Sequence, residues 1–166
     1  MTDFASRLRA QKKALEAEKR TQDEERASES AARQKILEEQ VELLRSVVMP
    51  VLNGCQRELQ AEGMDLRIDE EFDVQNYVVP RNATLKISCG SPARRSDGYR
   101  FESRPLFIEV QDDQFGIEIC ERHARRPSES MTRVSRDEVE DKIQESVLEL
   151  TDEALKEWQS SPARDD

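Results

Sequence analysis

The chain has few of the residues from which metal sites, phosphate loops and disulfide frameworks are built. Its 166 residues include five glycines, three cysteines and one histidine, and only 5% are aromatic. No apolar run approaches the ~18 residues that a transmembrane helix needs, and the first residues lack the apolar region of a signal peptide. We therefore expect neither a membrane protein nor a secreted disulfide scaffold, and we expect a cytoplasmic location.

The cysteines and the histidine are spaced too widely to predict a site. Cys55, Cys89 and Cys120 form no C-x-x-C pair, and His123 is the single histidine. A structural zinc site needs several such ligands at close spacing, so we predict buried thiols, no metal and no cofactor. Neighbouring carboxylates fall at strand ends and in a turn, where solvent screens them, rather than in a desolvated cleft. The sequence therefore predicts a protein that is not an enzyme and has no catalytic residue.

Charged side chains make up 37% of the chain and are distributed unevenly. Residues 1–52 carry 10 basic and 10 acidic side chains, 53–80 carry 2 and 7, 81–136 carry 11 and 8, and 137–166 carry 3 and 11. The net charges are therefore 0, −5, +3 and −8, which together give −10. An acidic protein repels phosphate at long range, which disfavours non-specific binding to nucleic acid or anionic lipid.

The first 35 residues have the composition of a helix without a core face. Between residues 11 and 35, thirteen of twenty-five side chains are charged, Leu15 is the only large apolar one, and proline and glycine are absent. Alanine, glutamate, lysine, arginine and glutamine favour helix. We predict a charged helical arm over 1–35 that frays towards Met1.

An apolar seam follows the arm. Its members are spaced four, three and four residues apart, as in a coiled-coil heptad, and they are Leu37, Val41, Leu44 and Val48. This spacing predicts self-association into a homodimer; the alternative is an ordinary core helix that lies on a sheet. Pro50 removes a backbone donor and predicts a kink, and Gly63 suits the end of the helix.

Beyond Gly63 the apolar residues alternate with polar ones, as in half-buried strands. We predict one extended segment over 64–68 and 72–79, strands near 83–89 and 115–119, and a strand over 99–110 that Pro105 interrupts. Together they predict an antiparallel sheet of about four strands, followed by a connection over 121–134. Ser135 and Glu138 form a capping box, which begins a helix whose apolar face is Val139, Ile143, Val147, Leu150, Ala154 and Trp158. The predicted fold is α+β, with one domain over 36–160, this amphipathic helix packed on the sheet, and a tail over 161–166.

Arginines are concentrated in two loops, 90–104 and 121–136. The candidates for binding phosphate or a carboxylate-rich peptide are Arg94, Arg95, Arg100, Arg104, Arg122, Arg125 and Arg126. Guanidinium groups suit such ligands because they donate paired hydrogen bonds. The alternative is that these arginines pair with acidic segments of the same chain.

The function that these patterns favour is that of a non-enzymatic cytosolic interaction protein, either an adaptor or chaperone-like. A long helix without intramolecular support is stabilised most simply by a partner helix, so we expect the protein to self-associate through its N-terminal helix. The alternative function is a nucleic-acid or phosphate-binding module that uses the arginine loops, although the net charge disfavours it.

Overall fold

The computed structural model describes residues 3–70, 82–92, 98, 100–128 and 131–160. The helical elements are α1 (Asp3–Leu43), a π-helical segment (Leu44–Val48), α2 (Met49–Ala61) and α3 (Val139–Ser160). The strands are β1 (Asp65–Glu70), β2 (Thr84–Gly90), β3 (Leu106–Gln111), β4 (Gln114–Ile119) and β5 (Thr132–Val134). The predicted α+β fold is confirmed, with five strands in the described residues where about four were predicted. The predicted extended segment at 72–79 and the tail at 161–166 lie outside the described residues.

The chain divides into two compact units, Met1–Glu39 and Gln40–Asp166. In the first unit, the helical residues from Asp3 to Ile36 are all exposed. The second unit contains the sheet, α2 and α3, together with most of the buried apolar side chains. The sequence placed the boundary between these two kinds of structure at residue 35.

The π-helical segment directly precedes Pro50, where the sequence predicts a kink. The Met49 N–H donates to the Leu44 carbonyl, five residues back, instead of four. Pro50 has no N–H, and its ring would clash with the carbonyl four residues earlier in an α-helix. The helix accommodates Pro50 by widening the preceding turn from α to π.

Gly63 ends α2 as predicted. It has a φ of 74°, and its N–H donates to the Gln60 carbonyl at 3.1 Å while the Met64 N–H donates to the Leu59 carbonyl at 2.9 Å. This pair of bonds is the Schellman motif, which requires a left-handed residue that glycine adopts without strain. The motif turns the chain directly into β1.

The sheet is a meander in the order β1-β2-β3-β4-β5, and every neighbouring pair is antiparallel. A two-residue turn joins β3 to β4, and its residues Asp112 and Asp113 have φ values of 49° and 62°. Aspartate tolerates this left-handed conformation, and two positive φ values match the twist of a tight hairpin. The strand predicted over 99–110 is interrupted at Pro105, as expected for a residue with no N–H to donate to the sheet, and β3 begins at Leu106.

The fifth strand, β5, lies in the segment that the sequence interprets as a connection. Its residues pair with β4 in the register Phe115↔Val134, Gly116↔Arg133 and Ile117↔Thr132. Three residues are too few for an alternating pattern to be recognised. This segment is therefore a strand because it pairs with β4, and its own sequence pattern does not show it.

One face of the sheet is covered by helices. Helix α2 packs on β1 and α3, and α3 packs on β2, β3 and β4. The largest completely buried side chains there include Leu85, Ile87, Leu106, Ile108 and Ile143. Of the six apolar residues predicted for the buried face of α3, Trp158 is the exception, because 46% of it is exposed. It lies near the C-terminal end of α3, and that part of the prediction is wrong.

The opposite face of the sheet has a smaller cover. Phe107 on β3 is completely buried there with Cys120 and Met131, and Ala124 packs against them. The chain between β4 and β5 supplies all three covering residues. This second cluster explains why β3 is buried on both faces.

Candidate interaction surfaces

The arm, defined here as residues 3–36 of α1, presents one stripe of large apolar side chains near its start. Phe4, Leu8 and Leu15 are 77%, 55% and 60% exposed. Because they are four and seven residues apart, they lie within an arc of about 40° on the helix. The three residues are called the arm stripe below.

The four residues of the predicted dimer seam lie at the other end of α1 and in the π-helical segment. Leu44 and Val48 have no exposed surface, Leu37 is 6% exposed, and Val41 is partly buried. Most of this surface is therefore covered within the single chain, which agrees with the alternative of an ordinary core helix, and self-association through these four residues stays a prediction. The spacing predicts that they face one side together; it does not distinguish a partner helix from the chain's own core.

Arg104 is one of the predicted anion-binding residues, and it binds α3 of its own chain. Its Nη2 donates to Glu149 Oε1 at 3.0 Å, and its Nε donates to Glu153 Oε1 at 3.2 Å. The backbone N–H of Arg104 also donates to Glu153 Oε2, at 2.9 Å. This arginine therefore connects the segment before β3 to the acidic helix, which is the internal pairing that the sequence left open as the alternative.

Arg100 is also engaged within the chain. Its Nε donates to the Ser91 carbonyl at 2.5 Å, and its Nη1 lies 3.7 Å from Asp65 Oδ2. The guanidinium group covers Gly90, where a Cβ would lie 3.0 Å from Arg100 Nε. Arg94 and Arg95, from the same predicted cluster, lie outside the described residues.

The remaining candidates are exposed in the loop between β4 and β5. The Arg122 guanidinium lies over the Phe101 ring, with Cζ 4.6 Å from the ring centroid, a cation–π geometry. Among the described residues, Arg125 and Arg126 make no ion pair, and both are exposed. Of the five predicted arginines that the structure describes, the three on this loop are therefore the ones available to an external anion.

The loop itself is anchored to β4 by Glu118. Ser128 donates to this carboxylate from its backbone N–H at 2.8 Å and from its Oγ at 2.6 Å. Burial opposes the charged form of Glu118, but the hydrogen bonds from Ser128 outweigh burial and lower the pKa of Glu118. The basic loop is thus tied to the sheet by a charged hydrogen-bond acceptor.

The three cysteines have the protonation state of structural thiols. Burial is the largest cause that raises the pKa of Cys55 and of Cys89. Burial and the neighbouring Glu118 raise the pKa of Cys120 to about 11. The nucleophilic form of cysteine is the thiolate, and near neutral pH these thiols are protonated.

The described residues contain no group of three or more histidine, cysteine, aspartate or glutamate side chains placed to hold a metal ion. Within the same residues, no helix combines the length and the apolar character that crossing a membrane requires.

A second apolar stripe, which the sequence analysis missed, lies on the exposed side of α3. Leu148 is 68% exposed, Trp158 is 46% exposed, and Leu155 is partly exposed. At 100° per residue, Leu148 and Leu155 lie about 120–160° around the helix from the buried Ile143 and Leu150. Trp158 lies at the edge of the buried face and one turn beyond Ala154, the last buried residue of α3. The spacing of seven and three residues places the three exposed side chains within an arc of about 80°, but only the structure shows that they are exposed. These residues are called the α3 stripe below.

Comparison of the chain with protein-family models, with curated proteins and with solved structures finds no match.

Proposed function

We infer that the protein is a non-enzymatic cytosolic interaction protein, adaptor or chaperone-like, that self-associates through its N-terminal helical arm. The observation that carries this inference is the arm itself, in which every residue from Asp3 to Ile36 is exposed. In water, helices gain most of their stability from packing an apolar face. A long helix with no buried face is therefore a structure suited to a partner.

The arm stripe is the part of the arm that fits a partner helix best. Phe4, Leu8 and Leu15 share one side of the helix, and each is more than half exposed. Removing an apolar side chain of this size from water contributes about 1.5–3 kcal/mol. The ion pairs along the arm, such as Arg7 with Asp3 at 2.6 Å, lie at the surface, and they leave the side chains of this stripe exposed.

Sedimentation equilibrium of the full chain tests the proposal. We expect the wild type to self-associate at about 100 μM and Leu15→Glu to shift the equilibrium towards monomer. Ala17→Glu is the matched control, since it adds the same charge on the opposite side of the same helix and should leave the equilibrium unchanged. A wild type that remains a monomer would contradict the proposal.

A second function, binding of nucleic acid or phosphate, is favoured by one observation. The basic loop between β4 and β5 presents exposed Arg125 and Arg126, with Arg122 stacked on Phe101 beside them. A salt titration with a generic single-stranded nucleic acid would test it, because phosphate contacts give a steep fall of affinity with salt. Absence of binding at about 50 mM salt would remove this candidate.

A further inference from the structure

The α3 stripe is an apolar surface that is exposed in the part of the chain that the structure describes. Leu148 and Trp158 are 68% and 46% exposed, with the partly exposed Leu155 between them. Leu148 and Leu155 lie on the side of α3 away from the buried Ile143 and Leu150, and Trp158 lies beyond the last buried residue of the helix.

The surroundings of the α3 stripe are acidic. Helix α3 contains seven acidic and two basic residues, a net charge of −5. By helical position, Asp141, Glu145 and Asp152 lie beside the stripe. Glu145 and Asp152 pair with Lys142 and Lys156 of the same helix, and Glu149 and Glu153 bind Arg104. A partner for this surface needs apolar side chains with basic neighbours.

The first half of the arm has that composition. Residues 3–20 contain six basic and three acidic side chains, a net charge of +3. By helical position, Lys12 and Lys19 lie on one side of the arm stripe, and Arg7 and Glu18 lie on the other. Two of these basic side chains, Arg7 and Lys12, also pair within the arm with exposed carboxylates. The arm therefore presents an apolar stripe whose surroundings carry a net positive charge, which is the complement of an apolar stripe with acidic surroundings.

The two stripes also agree in length. The arm stripe extends over eleven residues from Phe4 to Leu15, which is about 16 Å along the helix axis. The α3 stripe extends over ten residues from Leu148 to Trp158, which is about 15 Å. A pairing of α3 with a second α3 would bring two acidic borders together, and a pairing in register of two arms would bring two basic borders together. Like charges at an interface disfavour both arrangements.

We propose that the α3 stripe is the receptor for the arm stripe of a second copy of this chain. Each copy carries both surfaces, so two copies can exchange arms and make the same contact twice, as in a closed two-fold dimer. The proposal rests on the proposed self-association and specifies which surface the arm binds.

A complementation experiment with full-length variants tests this pairing by sedimentation equilibrium. Leu8→Glu damages the arm stripe, Leu148→Glu damages the α3 stripe, and Gln114→Glu adds the same charge on the exposed hairpin as a control. Leu8 and Leu148 are 55% and 68% exposed, so melting curves of both variants should match the wild type at a concentration where the wild type is monomeric.

We expect each stripe variant alone to dissociate at least tenfold more readily than the wild type, and the hairpin control to behave as the wild type. An equimolar mixture of Leu8→Glu and Leu148→Glu should associate more tightly than either variant alone, because one intact arm meets one intact α3 stripe.

Three results would overturn the pairing, and one of them would also overturn the proposed function. If Leu148→Glu associates like the wild type while Leu8→Glu does not, the arm binds elsewhere, and the proposed function stands. A mixture that shows no recovery would contradict the arm-to-α3 contact while leaving self-association intact. A wild type with no concentration dependence, as a monomer whose arm docks on its own chain would show, contradicts both.

Discussion

The arm and α3 are both long helices rich in charged side chains, but they differ in how their apolar side chains are spaced. Helix α3 has one face with an apolar residue every three or four positions from Val139 to Ala154, and that face is buried. The arm has Phe4, Leu8 and Leu15, and its next large apolar residue is Ile36, which is 53% exposed. Charge content is therefore a poor guide to burial, and the continuity of an apolar stripe is a better one.

The largest expected effect is that of a buried charge in the continuation of the same N-terminal helix. Leu44 has no exposed surface and Leu15 is 60% exposed. Leu44→Glu should abolish the cooperative melt, because an unpaired buried carboxylate costs several kcal/mol. Leu15→Glu should change the free energy of unfolding by less than about 0.5 kcal/mol. Urea denaturation measures both, and equal stabilities would show that Leu44 is not a core residue.

The second largest effect is a difference in the free energy of unfolding between alanine substitutions at two positions on α3. Ile143 is completely buried and Leu148 is 68% exposed. Ile143→Ala should lower the free energy of unfolding by about 2–5 kcal/mol through the cavity that it leaves. Leu148→Ala should lower it by less than about 0.5 kcal/mol. Chemical denaturation at a concentration where the protein is monomeric separates these effects from association, and a costly Leu148→Ala would place that residue in the core.

On the face of the sheet opposite the helices, an ion pair is expected to contribute less than the apolar core. Arg133 Nη2 lies 2.6 Å from Glu109 Oε1, and the two side chains are 30% and 11% exposed. Arg133→Met should lower the free energy of unfolding by about 1–3 kcal/mol, since it leaves a mostly buried carboxylate without its charged partner.

The double variant Glu109→Gln with Arg133→Met is the control for that ion pair. It should recover part of the loss, because no charge is then left unpaired. Additive losses in the double variant would show that the two side chains are not coupled.

The smallest effect is expected from removing the part of the chain that has no buried residue. A chain that begins at Ser30 loses only exposed residues among those described, so little apolar area is lost from the folded state. Its free energy of unfolding should match that of the full chain within about 0.5 kcal/mol. Loss of the cooperative melt would show that the arm contributes to the core.

Local patterns predicted the parts of the fold that depend on neighbouring residues. One half of the Ser135–Glu138 capping box is present, with the Ser135 N–H donating to Glu138 Oε2 at 3.2 Å. The Glu138 N–H donates to the Ser135 carbonyl instead of to its Oγ. The alternation over 83–89 corresponds to β2, and Gly63 ends α2. In each case a few residues contain both the signal and its structural consequence.

The candidate surfaces were harder to predict, because exposure depends on what packs against a residue. The heptad spacing from Leu37 to Val48 identifies a common face, yet the structure buries Leu44 and Val48 in the single chain. Trp158 continues the apolar spacing of α3 and is 46% exposed. Two of the predicted arginines, Arg100 and Arg104, are engaged with acidic side chains far away in sequence.

The sequence by itself determined the helices, the alternation of β2 and β4, and the charged arm, because periodicity and capping act over a few residues. Only the tertiary structure decided that β5 joins the sheet, that the heptad seam is core, and that Leu148 and Trp158 are exposed. The physical reason is that burial and strand pairing depend on contacts between distant segments. A spacing pattern shows which side chains face the same way, and the packed neighbours decide what they face.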